Sequence, residues 1–297
     1  MSDSDDLIDE LRRIGLRYGG PPAEVLPTRP DVIIVRAGSI VVKAHAPGSE
    51  KAALVRRMEA VAHPALRGIL LEPVTEEVVT VHDRLVTVWP AGTPVDSRDP
   101  DAAPWEAAAR LLARLHAVPA RALPPLPAAG GPARVAATVA RLDGDSAAEL
   151  VVRRAFTCLP ALDTGPGSPT HGDWHMGQLV RVQGEWILID VDDLGTGDQA
   201  WDLARPAAWF AAGLLEPQVW HGFLSAYRAA GGQATGTGDP WERLDLPAQA
   251  MTVQLTATAV AAAKREDRPL DEVEQILVDT CQKIVRFRSA CHSVPTQ

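Results

Sequence analysis

The apolar positions in the first third of the chain follow two different periods. Leu7, Leu11 and Ile14 recur at the spacing of a helix, which we expect over residues 5–17. The β-branched runs predict four strands at 31–36, 40–45, 77–81 and 84–89, with a second helix at 49–61 between the two pairs. This order predicts a small antiparallel sheet with one helix packed on it.

A break in this pattern follows at residues 89–94, where a Trp-Pro-Ala-Gly-Thr-Pro segment interrupts the strand signal. Beyond it the apolar spacing is mainly helical. We expect helices at 105–117, 133–142, 146–159, 199–213, 217–230, 240–264 and 270–290, and a hairpin of two strands at 178–182 and 185–191. The chain is therefore predicted to be an α+β protein with an N-terminal lobe at 1–92 and a larger, mainly helical C-terminal lobe at 93–297.

The composition is that of an ordinary globular protein and argues against several classes of function. The 297 residues carry a net charge of −9, whereas sequence-independent binding to nucleic acid requires clustered Lys and Arg side chains. The acidic N-terminus lacks the apolar core of a signal peptide, and the stretch at 251–263 is too short to span a bilayer. Three scattered cysteines form neither a disulfide framework nor a metal site. We expect a cytoplasmic protein that acts on a small molecule, without nucleic-acid or membrane partners and with no indication of its oligomeric state.

Two carboxylates flank the predicted hairpin in the middle of the chain. Asp173 precedes its first strand, and Asp190 follows the apolar run at 186–189. Because the chain goes out along one strand and returns along the other, the hairpin brings both carboxylates close together. A carboxylate at the end of a buried strand is costly unless a partner or a metal stabilises it, and Gln178 adds a neutral oxygen nearby. Oxygen ligands on short loops suit Mg²⁺, so the segment predicts the kind of cation site that phosphoryl transfer uses.

A longer set of residues around these carboxylates resembles a known signature. In chain order it consists of His171-Gly172-Asp173, Gln178, Ile189-Asp190, Gly197-Asp198 and Asp202-Leu203-Ala204. The set resembles the signature of the aminoglycoside phosphotransferase and choline kinase families, which are relatives of the protein kinases. Their pattern has an Asn where Gln178 stands here. The joint match is specific, whereas a bare His-Gly-Asp would have little value.

The resemblance implies a bilobal protein-kinase-like fold and a role for each matching residue. Asp173 would be the catalytic base, and His171 would brace its loop. Gln178 and Asp190 would hold Mg²⁺. ATP or GTP would be the phosphoryl donor, and the acceptor would be a hydroxyl group of a small molecule.

The N-terminal lobe contains the residues that the resemblance assigns to the nucleotide. Lys43 is one of only four lysines, and it lies among β-branched residues. A lysine suits pairing with the α- and β-phosphates, although a solvated strand-edge lysine is the alternative. Glu59 on the following helix has the best spacing to hold Lys43, although it could equally be an exposed helix charge. The linker from Trp89 to Ala91 would meet the adenine through its backbone, in which Pro90 lacks an N–H group.

The acceptor remains open at the level of the sequence. Trp174, His175, Asp192 and Asp193 are candidates for contacts with it, and the two aspartates would alternatively bind a second metal or remain solvated. Acidic side chains favour a cationic acceptor such as an aminoglycoside-like antibiotic or an amino sugar, with a role in antibiotic resistance. Gln178 in place of Asn instead resembles maltokinases and bacterial glucosamine kinases.

Two other classes of site fit parts of the same segment. His171, Asp173 and His175 have the spacing of a transition-metal site, although no further His or Cys ligand is apparent. A pseudokinase, which binds nucleotide without turnover, would account for the departure at Gln178. The presence of both Asp173 and Asp190 argues against that alternative.

Overall fold

The structure is a computed structural model, and it describes residues 3–28, 31–96, 98–99, 102–162 and 167–292. Its N-terminal part is an antiparallel sheet with the strand order β1-β2-β3-β5-β4. The strands are β1 (Ala23–Leu26), β2 (Ile33–Ala37), β3 (Ile40–Ala44), β4 (Val79–Val81) and β5 (Arg84–Pro90). Two helices accompany them, α1 (Asp3–Gly19) and α2 (Lys51–Val61).

The two helices pack with side chains from opposite faces of the sheet. Val86 on β5 belongs to the same buried cluster as Leu11 of α1, whereas its neighbour Leu85 belongs to the cluster of Met58 on α2. Successive side chains of a strand point to opposite faces, which accounts for this division. The sequence predicts helix α1 but only one helix on the sheet, so the second packed helix is a correction.

Strand β1 is an element that the sequence pattern does not predict. Its two central residues, Glu24 and Val25, are both exposed. An edge strand of this kind shows no alternation of buried and exposed positions, so its residues carry no strand signal.

The remainder of the chain is mainly helical. Its helices are α3 (Trp105–Ala117), α4 (Gly131–Ala140), α5 (Ala147–Cys158), α6 (Ala204–Ala211), α7 (Pro217–Ala229), α8 (Trp241–Arg265) and α9 (Glu272–His292). Val253 on α8 lies in a buried cluster with Val135 of α4, Val152 of α5 and Cys281 of α9. Among the described residues, no helix has the length and apolar character needed to cross a membrane. The α+β class predicted from the sequence is confirmed.

Short strands hold the segment that contains the sequence signature. They are β6 (Thr93–Pro94), β7 (Ser168–Thr170), β8 (Leu179–Val182), β9 (Glu185–Leu188) and β10 (Gly195–Gly197). β8 and β9 form the predicted hairpin, and β7 pairs with β10. The strand expected to reach residue 191 ends at Leu188, because Asp190 adopts a positive φ of 65° that an extended strand does not allow. Asp173 and Asp190 therefore lie in two adjacent loops.

Candidate functional site

A cleft of about 280 Å³ lies between the N-terminal sheet and these two loops. Its lining includes Val41, Lys43 and Trp89 from the sheet and Gln178, Asp190 and Asp192 from the loops. Most of the remaining lining is apolar, while the charged side chains converge on one part of it. An apolar cleft with a few convergent polar groups is the usual form of a small-molecule site.

Lys43 is the buried cation of this cleft. It lies on β3 with 7% of its surface exposed. Its Nζ is 2.7 Å from Oδ1 of Asp190 and 2.9 Å from Oδ2 of Asp192. Burial lowers the pKa of Lys43, but the two carboxylates raise it by more, so the net pKa is raised. The ammonium charge is therefore retained inside the cleft.

Gln178 and Asp190 form a pair of oxygen-bearing side chains on the cleft wall. Nε2 of Gln178 lies 3.3 Å from Oδ2 of Asp190, and the backbone N–H of Ile189 donates to the backbone carbonyl of Gln178 at 3.0 Å. One carboxylate and one amide on short loops fit Mg²⁺, which keeps several of its water ligands. The residues present thus fit a hydrated divalent cation.

Asp202 braces the loop that precedes β8. Its carboxylate is fully buried and accepts backbone N–H bonds from His171 at 2.7 Å and Gly172 at 2.8 Å, and His116 Nε2 lies 2.9 Å away. Burial raises the pKa of Asp202, but the hydrogen bonds and charges of His116 and His171 together lower it by more, so the net pKa is lowered. His171 Nε2 donates to the carbonyl of Ile189 at 2.8 Å, which ties this loop to that of Asp190.

Asp173 lies between two arginines from different helices. Its Oδ2 is 2.9 Å from Nη1 of Arg134 on α4, and its Oδ1 is 3.1 Å from Nη2 of Arg205 on α6. Arg134 also donates to the carbonyl of Gly172 at 2.6 Å and pairs with Asp193. Two ion pairs from opposite sides fix the orientation of the Asp173 carboxylate.

These two arginines are the site residues that sequence reasoning missed. Neither belongs to the signature, and each lies on a helix distant in sequence from Asp173. The Nε atoms of Arg134 and Arg205 are buried and have no hydrogen-bond partner among the described residues. Arg205 directly follows Ala204, the last residue of the signature, whereas Arg134 lies far from it. Residue type marks neither of them, since arginine is common throughout the chain.

Three residues that the sequence analysis assigns to the site, Glu59, Ala91 and Trp174, have surroundings that differ from the expectation. Glu59 is exposed, and the acidic partners of Lys43 are Asp190 and Asp192 instead. Helix α2 turns its apolar side to the core, which leaves Glu59 on the solvent side. The backbone N–H of Ala91 donates to the carbonyl of Ser39 at 2.7 Å, so it is already used by the protein, whereas Trp89 does line the cleft.

Trp174, the third of these predicted site residues, belongs to the hydrophobic core. Its side chain is 2% exposed and stacks on Phe223 with ring centroids 5.4 Å apart. The ring of Trp105 meets the ring of Trp174 edge-on, with centroids 6.3 Å apart. This aromatic packing places Trp174 between α3 and α7, with almost none of its side chain exposed.

The remaining loop candidates are held by neighbouring groups. The ring of His175 accepts the backbone N–H of Gly177 at 3.1 Å. Burial and then the charge of Arg205 lower the pKa of His175 to about 4, so its ring is neutral near pH 7. Asp193 pairs with Arg134, and burial raises the pKa of Asp193 despite that charge.

The transition-metal alternative finds no support in the geometry. In the part of the chain that the structure describes, no group of three or more His, Cys, Asp or Glu side chains is arranged to hold a metal ion. The ring of His171 donates a hydrogen bond to the carbonyl of Ile189, and the ring of His175 accepts one from the N–H of Gly177.

One family of proteins and several solved structures are similar to this chain. The sequence model of the phosphotransferase enzyme family, APH, matches residues 30–246. No curated protein matches the chain. Among solved structures, a choline/ethanolamine kinase family protein from Mesorhizobium loti is 17% identical with a TM-score of 0.58, and the match covers 98% of this chain and 95% of that one.

Two further solved structures are similar over almost their whole length. A choline kinase from Streptococcus pneumoniae is 16% identical with a TM-score of 0.62, covering 96% of this chain and 100% of that one. An amicoumacin kinase, solved in complex with AMP-PNP, Ca²⁺ and Ami, is 15% identical with a TM-score of 0.66, covering 97% and 94%. At such identities the likeness shows the fold, which is that of kinase-like phosphotransferases.

Proposed function

This chain belongs to the phosphotransferase enzyme family, and we propose that it transfers the γ-phosphoryl group of ATP or GTP to a hydroxyl of a small molecule with the help of Mg²⁺. The observation that carries the proposal is the convergence of Lys43, Gln178 and Asp190 in one cleft. Gln178 ends the loop that holds Asp173, so the nucleotide cleft and the candidate base share one segment.

Each of these side chains has a distinct task in the proposed reaction. Lys43 binds phosphate oxygens as a buried point charge, and Gln178 and Asp190 hold Mg²⁺, which neutralises phosphate charge when bound. Asp173, oriented by Arg134 and Arg205, aligns the acceptor hydroxyl and takes its proton.

The bonds made and broken follow from that placement. The acceptor oxygen forms a bond to the γ-phosphorus as the bond between that phosphorus and the β–γ bridging oxygen breaks. The hydroxyl proton passes to the Asp173 carboxylate, and the nucleoside diphosphate leaves. The protein forms no covalent bond in this reaction, so its contribution to catalysis is to position the reactants and to compensate the phosphate charge.

The charges around the site favour a neutral, hydroxyl-rich acceptor such as a sugar over an aminoglycoside-like polycation or an amino sugar. A cationic acceptor needs carboxylates that can bind it. Asp192 pairs with Lys43 and His45, and Asp193 pairs with Arg134. Their negative charges are therefore compensated within the protein.

The test is Mg²⁺-dependent consumption of ATP and GTP by the purified protein against aminoglycosides, amino sugars, maltose-type sugars and choline. We expect turnover that depends on a sugar acceptor and is lost in Asp173→Ala. Acceptor-dependent turnover only with aminoglycosides would refute the charge argument while leaving the reaction intact. Nucleotide binding without consumption across the panel would instead favour the pseudokinase alternative.

A further inference from the structure

Helix α2 offers Lys43 no carboxylate. The helix and its N-terminal cap contain two acidic residues, Glu50 and Glu59, and both are exposed. The side-chain hydrogen bond from α2 to the loop of Asp190 comes from Arg57, whose Nε donates to the carbonyl of Leu194 at 2.8 Å. This contact brings a cation and no carboxylate to the loop, so Lys43 must be held from elsewhere.

Asp192 is the carboxylate in the right place. Its Oδ2 lies 2.9 Å from Nζ of Lys43, and its Oδ1 lies 2.8 Å from Nδ1 of His45. His45 follows β3 and is 1% exposed. Asp192 is thus fixed on both of its oxygens by side chains of the N-terminal sheet, although it belongs to the loop after β9.

A chain of buried hydrogen bonds determines how His45 holds Asp192. Trp89 Nε1 is only a donor, and it donates to Thr87 Oγ1 at 2.8 Å. The Thr87 hydroxyl lies 2.8 Å from His45 Nε2, so it can donate its own proton there. A neutral His45 that accepts at Nε2 carries its proton on Nδ1, which donates to Asp192. Trp89 and Lys43 both line the cleft, at the two ends of this chain.

We infer that Asp192, oriented by His45, is the residue that positions Lys43 for the nucleotide in this protein, in place of a carboxylate on helix α2. The inference rests on the proposed function. Asp190 also contacts Lys43, but the same carboxylate would be a ligand of Mg²⁺. Asp192 is then the partner that Lys43 keeps when metal and nucleotide are bound.

Nucleotide affinity tests this directly and does not depend on the acceptor. Dissociation constants for Mg²⁺ with a non-hydrolysable ATP analogue are measured by calorimetry for wild type, Asp192→Asn and Glu59→Gln. We expect Asp192→Asn to weaken binding by about 10- to 100-fold, because a hydrogen bond to a charged group is lost, and Glu59→Gln to bind as wild type does. The direction of the change in affinity decides the test, because removing a negative charge near phosphates would by electrostatics alone tighten binding.

The His45 variants separate positioning from general support of the fold. His45→Asn places an amide N–H where Nδ1 lies, so it can still donate to Asp192, and we expect affinity within about threefold of wild type. His45→Gln places its amide where Nε2 lies, loses the bond to Asp192, and should bind about tenfold more weakly. Melting temperatures of both variants show whether each is folded.

A double-variant cycle completes the test. In a Lys43→Met background there is no ammonium to position, so Asp192→Asn should cause no further loss of affinity. Equal losses in both backgrounds, or unchanged or tighter binding by Asp192→Asn alone, would overturn the inference. If the wild type turns over while Asp192→Asn is neutral, only this inference fails; if the wild type binds no nucleotide, the proposed function fails with it.

Discussion

The carboxylate of Asp173 has two partners, and its replacement by asparagine affects both turnover and stability. The change keeps the shape of the side chain and one acceptor oxygen but removes the charge. Arg134 and Arg205, which contact the carboxylate at 2.9 and 3.1 Å, then face each other without the anion between them. Turnover should fall because an amide cannot take the hydroxyl proton.

The sizes of the two effects follow from the geometry. A positioned general base contributes about 10²- to 10⁴-fold to the rate, so kcat should fall by about 10³-fold. Breaking a largely buried ion pair by removing one partner costs about 3 kcal/mol or more. With an unfolding entropy of about 2.1 cal/mol/K per residue, that loss lowers the melting temperature of a 297-residue chain by roughly 5 °C. Nucleotide affinity should stay within a few-fold, since Lys43 and Asp190 are unchanged.

Turnover and thermal unfolding are measured on Asp173→Asn and on the double variant Asp173→Asn with Arg205→Gln. Arg134 keeps its ion pair with Asp193, whereas Arg205 loses its carboxylate partner. The double variant removes that guanidinium group, so it should regain part of the lost melting temperature without regaining turnover. If turnover returns with stability, the rate loss was a folding effect. A single variant with turnover within tenfold of wild type, or with an unchanged melting temperature, would refute the assignment of Asp173 or of its arginine partners.

Three further changes test other parts of the site. Gly172→Ala should destabilise the protein by at least about 1 kcal/mol and lower kcat, because φ is 83° and a Cβ would collide with the carbonyl of Asp193; thermal unfolding and kinetics measure both. Gln178→Ala should raise the Mg²⁺ concentration for half-maximal activity by about tenfold or more, whereas Gln178→Asn, the family's usual residue, should stay within a few-fold of wild type. Folding lowers the pKa of His175 to about 4. As pH falls from about 6.5 towards 4, the ring therefore binds a proton in the unfolded chain but stays neutral in the native protein. Stability should be complete above that window and fall by up to about 2 kcal/mol between about pH 7 and 5, a decrease that denaturant titration should find smaller in His175→Gln.

The elements of this fold that the sequence predicts are those with a strong local signal. Helix 105–117 matches α3 (Trp105–Ala117), which buries one regular face. The predicted hairpin matches β8 and β9, two apolar runs joined by the turn at Gln183-Gly184. Strand β1 has no such face, and β6, β7 and β10 are too short to show a period. The positions of β6, β7 and β10 depend on pairing with strands that are not their neighbours in the chain.

The residues of the candidate site likewise divide into those that the sequence identifies and those that it does not. The spacing from His171 to Asp202 is local enough that the signature identifies the loops. In the structure, His171 bonds both Asp202 and the carbonyl of Ile189, the residue before Asp190. Arg134 and Arg205 contribute their charge through tertiary packing of α4 and α6, which no local pattern encodes. Sequence reasoning therefore identified the segment but missed the cations that orient Asp173.

Lys43 shows why a partner is harder to predict than a functional group. Its own position follows from a local strand, whereas Asp190 lies 147 residues away in sequence. Choosing Glu59 as the partner assumes that helix α2 turns an acid towards the sheet, but α2 buries Leu54 and Met58, and Glu59 lies about 100° further round the helix than Met58. Once Glu59 faces solvent, a lysine that is 7% exposed still requires compensation of its charge, and the loop after β9 supplies it. The requirement could be read from the sequence, but the residue that meets it is determined by the packing of the two parts of the chain.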